Sequence, residues 1–256
     1  MESLLSFYAF IFGLLIGSFL NVIILRLPLK KDIVKARSAC TQCGTQLKWY
    51  HNIPVISFLV LNGKCGFCGK KISWRYPLIE LFTGLVSLWL FPEELNTLTI
   101  SHYIFYFTIA CIFISHFMID LDHHLLLDSL NIYLLAVILS YVIFYFNWQY
   151  WLIGGAIGFG VPLMVTWLFY KIRGQIGLGG GDIKLFGIIG LFVGPTGIVF
   201  NIFLSCMLGA VVGLLLIAFK KMQKDKPMAF GPAILIVAAL QIFFPEQASY
   251  LQALFF

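Results

Sequence analysis

Four thiols and a few carboxylates are the residues of this sequence whose spacing could do chemistry. Cys40-Thr-Gln-Cys43-Gly and Cys65-Gly-Phe-Cys68-Gly form two Cys-x-x-Cys pairs separated by 21 residues. Four thiolates at that spacing suit a tetrahedral zinc site, and a glycine after each pair permits the tight turn of a metal knuckle. A closed four-sulfur shell leaves no position for water, so the zinc would be structural. Disulfides and an iron–sulfur cluster are the rival readings; a reducing cytoplasmic face argues against the first, and nothing else in the chain implies redox work for the second.

The carboxylates lie in two places. Ile119-Asp120-Leu-Asp122-His123-His124-Leu-Leu-Leu-Asp128 closes one apolar stretch, and Gly177-Leu-Gly-Gly-Gly-Asp182-Ile-Lys184 opens another. Ionisable groups at membrane depth are costly and point to function. Asp182 reads either as a cap for the helix that begins at Ile183 or as half of a carboxylate pair with one of the acids of the first stretch. A cap explains the aspartate but not three glycines. Two carboxylates in a low-dielectric pocket share a proton, one activating water while the other donates to a carbonyl, which is aspartyl-protease chemistry. A metal site built on His123 and His124 is less apt, because adjacent residues on a helix point about 100° apart.

These groups need a scaffold, and composition says which kind. The chain is 61% hydrophobic and 11% charged, with mean hydropathy +0.95, far from a soluble balance. Apolar stretches long enough to cross a bilayer recur throughout and are continuous rather than alternating, so helices are expected and a barrel is not. The expected fold is all-α, with about eight spans at 3–25, 76–92, 97–119, 129–146, 148–170, 183–194, 198–219 and 228–244. The first is a retained anchor, lacking a basic n-region and a small-residue cleavage site. Gly194-Pro-Thr-Gly197 is where the long apolar run 185–219 turns back.

Charge sets the orientation. Every Lys and Arg falls in 26–75, at 171–173, at Lys184 or in 220–226. With eight spans all of these share one face, cytoplasmic by the positive-inside rule, and both termini lie outside. A seven-span chain would put the Lys220–Lys226 cluster on the wrong side. The net charge of +6 thus reflects topology and attraction to lipid headgroups, and gives no sign of nucleic acid. Residues 26–75 form the one sizeable polar loop, with ten Lys or Arg and a single acid, Asp32. So small a loop buries little core, so metal would supply much of its folding energy. Cys111 and Cys206 read as small apolar residues in helices, and Gly154, Gly155, Gly158 and Gly160 as close-packing positions.

Taken in order, the motifs resemble the type IV prepilin peptidases of bacteria, which are leader peptidases and N-methyltransferases. The match runs from Gly17-Ser-Phe-Leu-Asn21 and Arg26-Leu-Pro28 through both cysteine pairs, Asn52-Ile-Pro54, Gly63-Lys-Cys65 and Arg75-Tyr-Pro-Leu-Ile-Glu80-Leu-Phe-Thr-Gly84. It continues through Asp120 to Asp128 and Gly179-Gly-Gly-Asp182-Ile-Lys184. Two positions depart: Leu127 stands where the family usually has proline, and His51 replaces a frequently acidic residue. The resemblance implies a polytopic aspartic peptidase of the cytoplasmic membrane that cuts the short basic leader from prepilins or pseudopilins. It then methylates the new N-terminus with S-adenosylmethionine.

Carried over by position, Asp120 and Asp182 are catalytic, Asp128 is the weaker candidate, and Cys40, Cys43, Cys65 and Cys68 are zinc ligands. The glycines before Asp182 would give a substrate room. The family's methyltransferase belongs to the N-terminal region, 1–92, so Glu80, Asn21 and Arg26 are the polar groups expected near the methyl donor, and 93–256 is the peptidase core. Glu80 reads equally as a bundle acid paired with Arg75. A peptidase without methylation, or a transporter with Asp120, Asp122 and Asp182 on an ion path, are the alternatives; transporter sites usually sit at the midplane between repeats, and these acids cluster at one face.

Overall fold

The computed structural model describes residues 2–35, 37–175, 177–219 and 228–255. The basic cluster 220–226 lies outside them. Among the described residues the fold is helical, with two isolated β-bridges and no strand. The helices are α1 (Glu2–Arg26), α2 (Ile56–Val60), α3 (Arg75–Leu90), α4 (Thr97–His123), α5 (Asp128–Tyr145), α6 (Trp148–Arg173), α7 (Gly180–Ala218), α8 (Gly231–Phe243) and α9 (Pro245–Phe255). Five of them are long and apolar enough to cross a membrane, six if α8 and α9, bent by 114°, count as one.

The eight expected stretches map onto α1, α3, α4, α5, α6, the two arms of α7, and α8. Two elements were not foreseen, the short α2 and the terminal α9. The α3 helix is only 16 residues long. The 39 residues of α7 contain one non-helical residue, Gly194, at φ 74 and ψ −175, just before Pro195. A straight helix would separate Phe186 from Ile198 by roughly 18 Å. Instead the Phe186 carbonyl and Ile198 Cγ1 both lie under 3.0 Å from where a Cβ on Gly158 would stand. The chain therefore folds back at Gly194 and forms a helical hairpin.

The chain divides into two compact units, Met1–Cys111 and Ile112–Phe256. In the first, α1 and α3 pack antiparallel through missing side chains. A Cβ on Gly13 would meet Ser87 and Gly84, and one on Gly17 would meet the backbone of Glu80. Close approach lets the Ser87 hydroxyl donate to the Ala9 carbonyl at 2.7 Å, a bond strengthened by the absence of competing water. The polar loop 27–74 leaves this pair at one end.

In the second unit α6 lies against the first arm of α7, again through glycines. A Cβ on Gly154 would collide with the Gly190 carbonyl, and one on Gly155 with Leu191, whereas Gly160 faces open space. Local signals set the ends of α6: the Asn147 side chain accepts from Gln149 N–H at 3.2 Å, and Gly174 closes it at φ 68. The second arm of α7 runs antiparallel to α8. Asn201 donates to Gln241 Oε1 at 2.7 Å, and Gln241 Nε2 donates to the Gly197 carbonyl at 2.7 Å. These amides give the apolar hairpin a fixed register.

Candidate active site and cysteine centre

In the second unit the end of α4, the linker after it, the start of α7 and the start of α8 meet. Asp120 lies in the last turn of α4 and is 4% exposed. Its Oδ2 accepts the Gly231 N–H at 2.9 Å. A Cβ on Gly231 would stand 2.7 Å from that same oxygen, so only glycine lets the backbone donate there. Asp182 is the third residue of α7, and its Oδ2 reaches back to accept the Gly179 N–H at 3.2 Å. It is thus the acid of a helix start, not the cap itself, and it lies within electrostatic reach of Asp120. One carboxylate oxygen serves the helix start, and a carboxylate has a second oxygen to offer.

The glycines before Asp182 differ from one another. A Cβ on Gly179 would press on Asp182 Oδ2, one on Gly181 would press on Leu126, and only Gly180 faces open space. Leu126, in the linker between α4 and α5, also lies beside Gly231. The Asn131 amide, on α5 and 2% exposed, approaches the Gly181 carbonyl at 3.5 Å. Lys184 pairs with Asp128 at 2.7 Å, both half exposed. His124 sits at φ 52 and donates its N–H to the Asp120 carbonyl at 2.9 Å. Asp122 is exposed and His123 closes α4.

Sequence reasoning missed Gly231, Leu126 and Asn131, and also His116. The last is fully buried one turn before Asp120, with no partner at either ring nitrogen. A glycine followed by proline at a helix start was the one available signal, for Gly231.

In the first unit the two cysteine pairs fold alike. Cys40 N–H donates to the Thr45 carbonyl at 3.0 Å and Gly44 N–H to the Cys40 carbonyl at 2.9 Å. Cys65 N–H donates to the Lys70 carbonyl at 2.8 Å and Gly69 N–H to the Cys65 carbonyl at 2.9 Å. Gly44 and Gly69 take φ 71 and 69, which a side chain would disfavour. A bridge closes each knuckle, Ala39 with Gln46 and Lys64 with Lys71. The four sulfurs lie within 4.8 Å of one another, and among the described residues this is the group placed to hold a metal ion. Hydrogen bonding to the Thr45 side chain and backbone pulls the Cys43 thiol down to about 6, towards the thiolate a metal needs.

A cavity of about 530 Å³ opens between α1, α3 and this loop. Asn21, Arg26 and Glu80 all line it, with Ser18, His51, Asn52 and Tyr76. Each expected residue also braces a wall. Asn21 donates to the Tyr76 carbonyl at 3.2 Å, and Arg26 donates to the carbonyls of Asp32 and Arg37 at 3.1 and 3.0 Å. Glu80 Oε2 accepts the Val55 N–H at 2.8 Å. His51 Nδ1 is buried without a partner.

Comparison with known proteins agrees on the family. Residues 11–93 match the profile of the bacterial peptidase A24 N-terminal domain, and residues 104–214 that of the type IV leader peptidase family. A prepilin leader peptidase/N-methyltransferase of Stutzerimonas stutzeri is 34% identical over 95% of this chain and 93% of its own length. One of Xanthomonas campestris is 35% identical over 91% and 88%, and one of Myxococcus xanthus 36% over 84% and 64%. No solved structure gives a significant match.

Proposed function

Since this chain belongs to the type IV leader peptidase family, we propose that it is an aspartic endopeptidase that removes the basic leader from type IV prepilins or pseudopilins and then N-methylates the new terminus. One observation carries the first activity: two aspartates 62 positions apart in sequence lie in one unit on either side of Leu126, which lies beside both Gly231 and Gly181, and each has an oxygen bonded by a backbone N–H. Close carboxylates in a site of low dielectric hold one proton between them. The ionised partner takes a proton from water as its oxygen attacks the scissile carbonyl, and the protonated one donates to the carbonyl oxygen. Collapse of the tetrahedral intermediate breaks the C–N bond, and the proton passes to the leaving amine. The Gly231 and Gly179 amides hold the pair in place, so little reorganisation is needed in the transition state.

Methylation belongs to the N-terminal region, 1–92, and cleavage to 93–256. The cavity lined by Asn21, Arg26 and Glu80 fits a methyl donor in size and in its mixed polar and apolar wall, and His51 offers it an unused nitrogen. S-adenosylmethionine, when bound, supplies an electrophilic methyl group. Zinc fits the four-sulfur group of Cys40, Cys43, Cys65 and Cys68, and when bound it cross-links the two knuckles. The enzyme is multi-pass in the bacterial cytoplasmic membrane with termini outside and both sites at the cytoplasmic face. The fold-back at Gly194 supports this, because it keeps the number of spans even.

The test is cleavage of a prepilin-like peptide, with a basic leader and glycine before phenylalanine, by the purified full chain in detergent, with and without S-adenosylmethionine. Wild type should cut and the product should gain one methyl mass, while Asp120→Asn and Asp182→Asn should each lose cleavage by at least about 10³-fold with folding intact. Cleavage surviving both single changes sinks the dyad. A cut but unmethylated product leaves a peptidase alone.

A further inference from the structure

Val55 stands at φ 60 and ψ −49, a region that β-branched residues avoid. The Ile56 N–H turns back onto the Pro54 carbonyl, so Pro54-Val55-Ile56 is a γ-turn of the rare, strained hand. Strain of this kind persists only where the surroundings impose it. Here the imposing group is Glu80. It is 9% exposed, and its Oε2 takes the Val55 N–H at 2.8 Å. Asn52 and Ser57, on either side of the turn, both line the cavity. Gly17 completes the arrangement, because a Cβ there would stand 2.7 Å from Glu80 Cα and push α1 away from the carboxylate.

We propose that Glu80 is a positioning residue for methyl-donor binding: it acts through Val55, holding the strained turn that sets two cavity-lining residues, Asn52 and Ser57, and does not spend its charge on the ligand. This rests on the reading of the cavity as the methyl donor's site. A buried carboxylate beside a cationic ligand would ordinarily be assigned to the cation, but this one is already engaged by a backbone amide. The strain and the acceptor are matched across 25 residues of sequence. Removing the acceptor leaves a buried N–H unpaired and the turn free to relax.

The variants are Glu80→Leu, Glu80→Gln and Val55→Gly, alone and in combination, in the zinc-loaded full chain in detergent. Two readouts are taken: S-adenosylmethionine affinity by titration, and ligand-free hydrogen exchange of the 52–60 segment. Glu80→Leu should weaken binding about tenfold or more and speed exchange at Val55. Glu80→Gln keeps an acceptor oxygen, so it should recover most of that affinity and keep the amide slow. Adding Val55→Gly to Glu80→Leu should also restore affinity, because glycine takes positive φ without strain. The proposal is overturned if Glu80→Gln binds as weakly as Glu80→Leu while Val55 exchange stays slow, or if Val55→Gly restores nothing. If wild type binds no donor, the cavity reading fails and the positioning role in donor binding falls with it; the exchange data then still report whether Glu80 holds the turn. Should Glu80→Leu not accumulate, affinity and exchange of Glu80→Gln with and without Val55→Gly decide the same question.

Discussion

Glu80 in the N-terminal unit and Asp120 in the C-terminal unit face the same problem and solve it differently. Both are buried carboxylates on apolar helices, and each accepts a backbone N–H from a distant segment at nearly the same distance, 2.8 Å from Val55 and 2.9 Å from Gly231. At Asp120 the donor is a glycine, whose missing side chain leaves room for the oxygen. At Glu80 the donor is a valine, and the room comes from a strained backbone. Stabilising a buried charge thus calls on whichever the local chain can supply, a vacancy or a distortion. The vacancy lets the carboxylate meet its donor with no backbone distortion tied to its position. The distortion suits a site where the shape of a wall matters.

The sharpest way to break the contrast is Gly231→Ala. Its Cβ would stand 2.7 Å from Asp120 Oδ2, so the carboxylate must shift. A misplacement near 1 Å costs on the order of 10²-fold, and kcat for prepilin-peptide cleavage should fall by that order while zinc content stays whole. Unchanged kcat would show that the Gly231 amide is incidental. Next comes the metal. Cys40→Ser with Cys43→Ser, or a strong chelator on wild type, should empty the cysteine centre and expose the 27–74 loop to protease, with methylation lost before cleavage. Metal analysis and limited proteolysis read this out; equal loss of both activities would mean that the loop supports the whole chain. The smallest effect belongs to the pair of Asp128 with Lys184. Both side chains are half exposed, so Asp128→Asn should cost below about 1 kcal/mol of stability and leave cleavage within a few-fold. A loss as deep as that of Asp120→Asn would make Asp128 part of the chemistry.

How much of this was legible depended on whether a feature leaves a mark on residue type. The cysteine centre was legible in full, because each knuckle closes within seven residues and its glycines mark the turns. The apolar helices were legible because hydropathy is a sum over many residues, and Gly194-Pro195 announced the fold-back, but among the described residues five or six helices, not eight, are long and apolar enough to cross a membrane. Asp120 and Asp182 were legible as candidates, being charges where charge is costly. What stayed hidden was backbone. Nothing about valine suggests φ 60 at position 55, and the Gly231 amide is a donor that every non-proline residue owns. The amides of Asn201 and Gln241 were hidden for another reason: each sits alone in an apolar run, and only the packed hairpin shows that they meet. The α9 helix was missed because it is short and opens on polar residues, Glu246 and Gln247, after a proline, and its 114° bend from α8 falls at Phe244-Pro245.

The fold-back at Gly194 also bears on the order in which the molecule can be assembled. The first arm of α7, from Gly180 to Gly194, reaches roughly 20 Å at about 1.5 Å per residue, short of an apolar layer about 30 Å thick. With Gly180 at one face of such a layer, the turn would lie inside it, where loose carbonyls are expensive. Two are answered from outside the hairpin: Tyr150 donates to the Val193 carbonyl at 2.8 Å, and Gln241 to that of Gly197 at 2.7 Å. Tyr150 is synthesised before the hairpin and can wait for it. Gln241 comes after, so until α8 is made the Gly197 carbonyl lacks this side-chain donor. The contact that Gln241 makes with the turn therefore forms only after α8 has been made, so the hairpin that carries Asp182 takes its final register from a segment synthesised later than itself.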